Sequence, residues 1–367
     1  MKVLLRGALL ALVAALVLAA SAGASTIRQR SHMQHVFVIM LENHSQSGVI
    51  DDANAPYITS LAHTYGMAEN YYGVTHPSLP NYVAAISGSN WSANDDNPDR
   101  RFDHTNLVDQ LEQKKIGWGA YMESMPSAGF LGDYAPSTAQ QLYASKHNPF
   151  VLMNDIRSND ARLARIKPYT ALAADLNSMT APAFVWISPN QCHDMHGGVF
   201  SPVASDGSDG TPCPYGSKRD DKNDASLKAK ADAFVKGAVA TIMSSKAWTG
   251  NSTIFIVTDE SDFTGNKSTD GWEDASGCCD TPFLSPGFQF LNSHGAPDGN
   301  VWGGGPYGGG KIPAIVIAKN GKRGYTSQVP FNHYSMLATV EQNWELGFLG
   351  YAADHVQVAT LREFLTP

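Results

Sequence analysis

Five apolar runs punctuate the chain: Val36–Leu41, Ile116–Met122, Ala183–Ile187, Thr253–Val257 and Ile312–Ala318. Each is hydrophobic almost without a break, the pattern of a strand buried on both faces of a parallel sheet. Between them apolar residues recur at helical spacing. The clearest stretch runs from Asp224 to Ser244, with Leu227, Ala231, Phe234, Ala238 and Ile242 on one stripe. Ala55–Tyr65, Asn106–Lys115, Ala171–Met179 and Tyr334–Trp344 read the same way. Strands alternating with helices predict an α/β domain with a mostly parallel central sheet and helices on both faces. Two irregular polar stretches, 201–224 and 261–311, interrupt the alternation, the second carrying the glycine-rich run Gly303–Gly310. Structureless segments of this length in a compact domain are functional excursions or are tied by disulfides. Neither has a linker composition, so residues 25–367 read as one domain.

Charge and composition narrow the function. The 367 residues carry 26 Lys+Arg against 34 Asp+Glu, a formal net charge of −8, and 43% are hydrophobic. That composition is globular rather than disordered. The acidic balance, with no Lys/Arg stripe, excludes nucleic acid as the main partner. At the amino terminus a short basic start (Met1–Arg6) leads into an apolar run (Gly7–Ala20) and small residues up to Ala24. This is the layout of a signal peptide over residues 1–24, which predicts export to the periplasm or beyond the cell. The run is shorter than the roughly 20 residues needed to span a bilayer, and no later segment is apolar enough. In an exported chain four cysteines suggest disulfides. Cys192–Cys213 is the expected pair, and Cys278 and Cys279 either bridge each other or pair elsewhere. A thiolate zinc site fits less well, because CxxC spacing is absent.

The polar residues fall where the strands end. Val36–Leu41 runs into Glu42-Asn43-His44-Ser45, Ala183–Ile187 into a segment containing Asn190, His193, Asp194 and His196, and Thr253–Val257 into Asp259-Glu260. In open α/β sheets ligands bind beyond the carboxyl ends of the strands, so the three clusters predict one assembled site. Its oxygen donors Glu42, Asn43, Asp259 and Glu260 suit a hard divalent cation. A fourth block, Thr75-His76-Pro77-Ser78-Leu79-Pro80-Asn81-Tyr82, leads into an apolar helical run. Ser78 stands at the helix start, either as an ordinary N-cap or as a hydroxyl beside the positive end of the dipole, where a phosphoryl group is stabilised.

On these blocks, together with Phe331–Trp344, the chain resembles the secreted bacterial phosphoesterases that join acid phosphatases to phospholipases C. These lie within the alkaline phosphatase-like superfamily. The resemblance implies a three-layer sandwich with a mostly parallel sheet. It implies metal ligation by Glu42, Asn43, Asp259, Glu260 and the Ser78 oxygen, with Ser78 as nucleophile and Thr75 as its competitor. The block His193-Asp194-Met195-His196 and His333 match elements that face the transferring phosphoryl group. His193, His196 and His333 are thus candidate proton donors, with His76 a fourth, and Asn81, Asp194 and His76 are candidate substrate contacts. Asn190 stands where the superfamily's two-metal pattern has an Asp, so one cation is expected.

The resulting expectation is an exported, metal-dependent acid phosphatase acting on phosphate monoesters, including phosphoinositide phosphates, through a phosphoseryl intermediate. A phospholipase C-type phosphodiesterase shares the same residues and stays open. A non-catalytic metal-dependent binding protein is the third reading. On the long loops, Trp272, Trp302 and Tyr307 are expected at a substrate rim, and Asp262, Asp270, Glu273 and Asp274 are loop carboxylates.

Overall fold

The computed structural model describes residues 32–199, 212–216, 222–262, 274–291 and 297–366. Residues 1–31, which include the expected signal peptide, and parts of both long loops, including Trp272, Asp270 and Glu273, lie outside them. The central sheet is built of β1 (Val36–Leu41), β2 (Gly66–Tyr72), β3 (Trp118–Met122), β4 (Ile166–Pro168), β5 (Phe184–Ser188), β6 (Thr253–Thr258), β7 (Ala314–Ala318) and β8 (Tyr325–Asn332). Their spatial order is β8-β2-β7-β6-β1-β5-β3-β4. β1 lies in the middle and pairs in parallel with β5 and β6. Only β7 is reversed, running antiparallel to β2 and β6.

The five strands read from the apolar runs are buried at every position, which is why their sequences are continuously hydrophobic. Three strands escape that pattern for physical reasons. β2 carries Glu69 and Asn70 in its middle, and β4 is only three residues long. β8 is an edge strand with exposed positions and Pro330, which an edge tolerates because no further ladder needs its missing N–H.

Side chains of β1 alternate between two cores, as a strand's period of two requires. Val36, Val38 and Met40 pack beneath α2 (Ser78–Ser87), α3 (Leu107–Gln113) and α6 (His333–Trp344). Phe37, Ile39 and Leu41 pack beneath α1 (Pro56–Thr64), α4 (Leu172–Leu176) and α5 (Lys222–Ser244). The result is a three-layer α/β sandwich. α5 buries Leu227, Ala231, Ala238 and Ile242, as its stripe predicts, and adds Val235 and Val239. It also buries a cation. Lys228 Nζ lies 2.6 Å from Asp52 Oδ2, 2.8 Å from Asp224 Oδ2 and 3.1 Å from the Gly48 carbonyl, which tie the start of α5 to the layer below β1.

Cys192 is bridged to Cys213 and Cys278 to Cys279. No helix among the described residues is long and apolar enough to cross a membrane.

Candidate active site

The carboxyl ends of β1 and β6, the turn before α2 and the segment after β5 converge on one cavity of about 370 Å³. Ser78 is the first residue of α2, with Pro77 as its N-cap, and its hydroxyl caps nothing. Ser78 Oγ instead donates to Glu42 Oε2 at 2.9 Å and lies 3.2 Å from Glu260 Oε1. Pro80 sits in the first turn, where its missing N–H costs nothing.

Two devices hold this turn. Asn81, wholly buried, accepts from the amides of Val74 (2.8 Å) and Thr75 (3.1 Å) and donates to the carbonyls of Thr75 (2.7 Å) and Pro77 (3.0 Å). Its amide is therefore spent on the loop, not on a substrate. Behind the loop the glycine-rich run lies close: the Gly309 amide donates to the Gly73 carbonyl at 3.1 Å, and a Cβ at Gly309 would come 2.5 Å from the Thr75 oxygen. Only glycine allows that approach.

Around Ser78 the donor atoms are buried and incompletely paired. Asn43, whose φ of 45° is in the left-handed region Asn tolerates, donates its amide to Asp259 Oδ1 at 2.9 Å. Its side-chain oxygen, Glu42 Oε1, Asp259 Oδ2, Asp194 Oδ2 and His147 Nε2 have no hydrogen-bond partner. His147 Nε2 comes within 3.0 Å of Glu42 Oε1, and its Nδ1 within 3.3 Å of Asp194 Oδ2, without hydrogen-bond alignment. Burial, followed by the Lys146 charge, holds His147 well below the usual histidine range, so these approaches are not ion pairs. Buried polar atoms are nearly always satisfied. Five orphaned buried atoms of oxygen and imidazole character, on Glu42, Asn43, His147, Asp194 and Asp259, are the donor types a divalent cation takes.

The electrostatics agree. Burial raises Glu42 to about 7, and burial together with the neighbouring carboxylates raises Asp194, Asp259 and Glu260 well above their usual range. Carboxyl groups crowded in a dry site resist ionisation until positive charge joins them. Glu42, Asn43, Asp259 and Glu260, the expected ligands, are thus brought together. The structure adds His147 and His196, which with Glu42 form a cluster whose ligand atoms lie within 4.8 Å of one another.

The imidazoles divide. His196 lines the cavity, its Nδ1 donating to the Gly197 carbonyl (2.9 Å) and its Nε2 accepting from Lys146 Nζ (3.1 Å). His193 points away and bonds Glu123 at 2.9 Å. His333 is buried under Asp259, donating to its carbonyl at 2.6 Å and accepting from the Tyr71 hydroxyl at 3.3 Å. His76 bonds Glu260 and, at 3.2 Å, the Asp274 carbonyl. Burial lowers both His76 and His333 to about 4. His76 holds the Glu260 carboxylate and His333 the Asp259 main chain, and neither lines the cavity. Asp194 spends one oxygen on the His196 amide (2.7 Å) and turns the other to His147. Thr75 is buried beside the loop, its hydroxyl 3.3 Å from the His76 carbonyl.

Other expectations shift with the packing. Tyr307 is not a rim residue: it is buried, its ring 4.8 Å from Trp302 and 5.7 Å from His76. Asp262 and Asp274 accept from the amides of Ser45 and Lys311. Lys146, His147 and Asp96 belong to the site but lie in no strand-end cluster. The readable signal is a Lys-His pair just before Pro149, which starts a helix as Pro77 precedes α2.

Comparisons with known proteins agree with this geometry. An acid phosphatase of Aspergillus fumigatus is 36% identical over 163 residues, 44% of this chain and 36% of its own. A probable acid phosphatase of Kluyveromyces lactis is 27% identical over 323 residues, 86% of this chain and 59% of its own. The chain thus spans about a third and about three fifths of these relatives' lengths. Among solved structures, murine ectonucleotide pyrophosphatase/phosphodiesterase 5 superposes with a TM-score of 0.51 at 10% identity, covering 88% of this chain and 100% of that one. A phosphonate monoester hydrolase of Agrobacterium radiobacter shares the fold, with a TM-score of 0.50 at 11% identity over 90% of this chain and 77% of that one. Residues 48–208 and 214–347 match the Phosphoesterase family, and the chain belongs to it.

Proposed function

We propose that this protein is an exported, divalent-cation-dependent phosphatase that hydrolyses phosphate monoesters through a phosphoseryl intermediate on Ser78. The observation that carries the reading is the Ser78 hydroxyl at the start of α2, between Glu42 and Glu260, opening on the cavity beside five unpaired buried donor atoms. The acid phosphatase relatives support the monoester, and the two disulfides support an oxidising compartment.

Glu42, Asn43, Asp259 and Glu260 would hold the cation, with His147 as a fifth donor. When bound, the cation lowers the pKa of the Ser78 hydroxyl and offsets phosphoryl charge. The chain's own part follows from geometry. Asn81 fixes the turn so that Ser78 Oγ points into the cavity, and the positive end of the α2 dipole favours an anion there. Ser78 Oγ gives its proton to Glu42 Oε2, which it already hydrogen-bonds at 2.9 Å, and bonds phosphorus. The phosphorus–leaving-oxygen bond breaks, and that oxygen takes a proton from solvent water and departs as the alcohol. Water then cleaves the Ser78–phosphoryl bond, releasing inorganic phosphate and restoring the hydroxyl. His333 and His76 keep Asp259 and Glu260 in place throughout.

The test is hydrolysis of p-nitrophenyl phosphate after chelation and after adding Mg²⁺, Ca²⁺, Mn²⁺ or Zn²⁺ singly. Activity that is lost on chelation and restored by a cation supports the proposal. Activity confined to a phosphodiester moves the reading to phospholipase C-type chemistry. Inactivity on both with every cation favours a binding protein.

A further inference from the structure

Three carboxyl residues, Asp96, Asp224 and Glu260, line the cavity, yet the proposed substrate is itself an anion, so the source of positive charge matters. Among the described residues lining the cavity, Lys146 is the only Lys or Arg. Its side chain is 10% exposed. Its ammonium lies 2.8 Å from Asp96 Oδ2 and 3.1 Å from His196 Nε2. An ammonium has three N–H bonds; these two contacts occupy two among the described residues, and one is left for a ligand oxygen.

The mounting is built. The other oxygen of Asp96 accepts from the Leu79 amide at 3.0 Å, so one carboxylate ties Lys146 to the residue after Ser78. His196 accepts from Lys146 because its Nδ1 proton is committed to the Gly197 carbonyl at 2.9 Å. The ammonium is therefore held from two sides, beside the cavity and registered to the nucleophile's own helix.

We propose that Lys146 is the phosphoryl-binding cation of this site, and that the Asp96–Lys146–His196 bridge favours monoesters over diesters. The inference rests on the phosphatase reading and deepens it. A monoester phosphoryl group presents three unsubstituted oxygens carrying up to two charges. A diester presents two oxygens sharing one charge. A point-charge donor fixed beside the nucleophile therefore stabilises the monoester more.

The test uses the full chain with the cation that best supports the wild type. It compares kcat/KM for p-nitrophenyl phosphate and bis(p-nitrophenyl) phosphate, and follows inorganic phosphate binding by calorimetry. Lys146→Met is expected to lower the monoester value roughly 100-fold, the diester value less than about tenfold, and phosphate affinity by at least about tenfold. Lys146→Arg, which keeps the charge, should stay within about tenfold of wild type in phosphate affinity. An equal loss on both esters, or unchanged phosphate binding by a folded Lys146→Met chain, overturns the proposal. Should Lys146→Met not fold, Asp96→Asn decides: with the counter-charge removed phosphate must bind more tightly, and equal or weaker binding overturns it. A wild type that hydrolyses neither ester but binds phosphate through Lys146 would sink the phosphatase reading while sparing the binding site.

Discussion

Asn81 offers a sharp test of how the nucleophile is held. Its side chain makes four hydrogen bonds, to the amides of Val74 and Thr75 and the carbonyls of Thr75 and Pro77, and is fully buried. Asn81→Ala removes all four partners at once. At about 1 kcal/mol per buried hydrogen bond, and more where a group is left without water, the loss is about 4 kcal/mol. For a domain of this size each kcal/mol lowers the melting temperature by roughly 2 °C, so a drop of roughly 8 °C is expected. Because the loop carries Ser78, kcat should fall steeply even in the folded fraction. Asn81→Asp sharpens the reading. It keeps an acceptor for the two amides but sets a carboxylate oxygen against two carbonyls, and should be no more stable than Asn81→Ala. Scanning calorimetry and steady-state kinetics give both readouts. An unchanged melting temperature with only a raised KM would refute the loop-clamp reasoning and return Asn81 to the substrate-contact role expected from its motif.

Three further outcomes follow from the packing. Lys228→Met strands the carboxylates of Asp52 and Asp224 without their buried cation, and should cost about 3–5 kcal/mol in denaturant unfolding near neutral pH; a loss under about 1 kcal/mol would contradict it. In the chelated chain, Glu42 is raised by burial to about 7 and Glu341, also by burial, to about 8. Folded carboxyls above their unfolded value of 4.5 contribute stability that is present below 4.5 and lost as pH rises through about 7 and 8. The chelated protein should therefore melt higher at pH 5 than at pH 9, Glu341→Gln should recover part of the loss at pH 9, and a flat profile would count against the assigned burial. Cys192→Ser opens a loop of sequence separation 21, with an expected loss of about 3 kcal/mol. Gln191 and Tyr215 line the cavity on either side of that bridge, so KM should rise more than kcat falls, and unchanged kinetics would separate the bridge from the site.

The residues differ in how openly they declare themselves. Strands buried on both faces write their burial into unbroken apolar runs, so β1 reads to the residue and the polar groups at its end are located with it. Glu42, Asn43, Asp259 and Glu260 converge because β1 and β6 are neighbouring parallel strands, whose carboxyl ends meet at one edge. Strands with one wet face or an open edge, such as β2 and β8, carry no such run. Lys146 and His147 sit in a connecting segment whose path no periodicity records, although Lys146 lies 2.8 Å from Asp96 and His147 3.0 Å from Glu42. His193 and His196 are three residues apart in one motif, yet only His196 lines the cavity, because the turn after Asn190 sends His193 to Glu123. A motif brings imidazoles near a site, but the turn decides which of them faces it.

The central claim is that Ser78 carries the phosphoryl group. The direct measurement is mass spectrometry of the chain after acid quench during turnover of p-nitrophenyl phosphate with its best cation, beside Ser78→Ala. The account predicts phosphate on the peptide containing Ser78 in the wild type, its absence after chelation, and an inactive, unmodified variant. Sustained turnover with no phosphorylated peptide, or phosphate on Thr75 with Ser78→Ala still active, would contradict it.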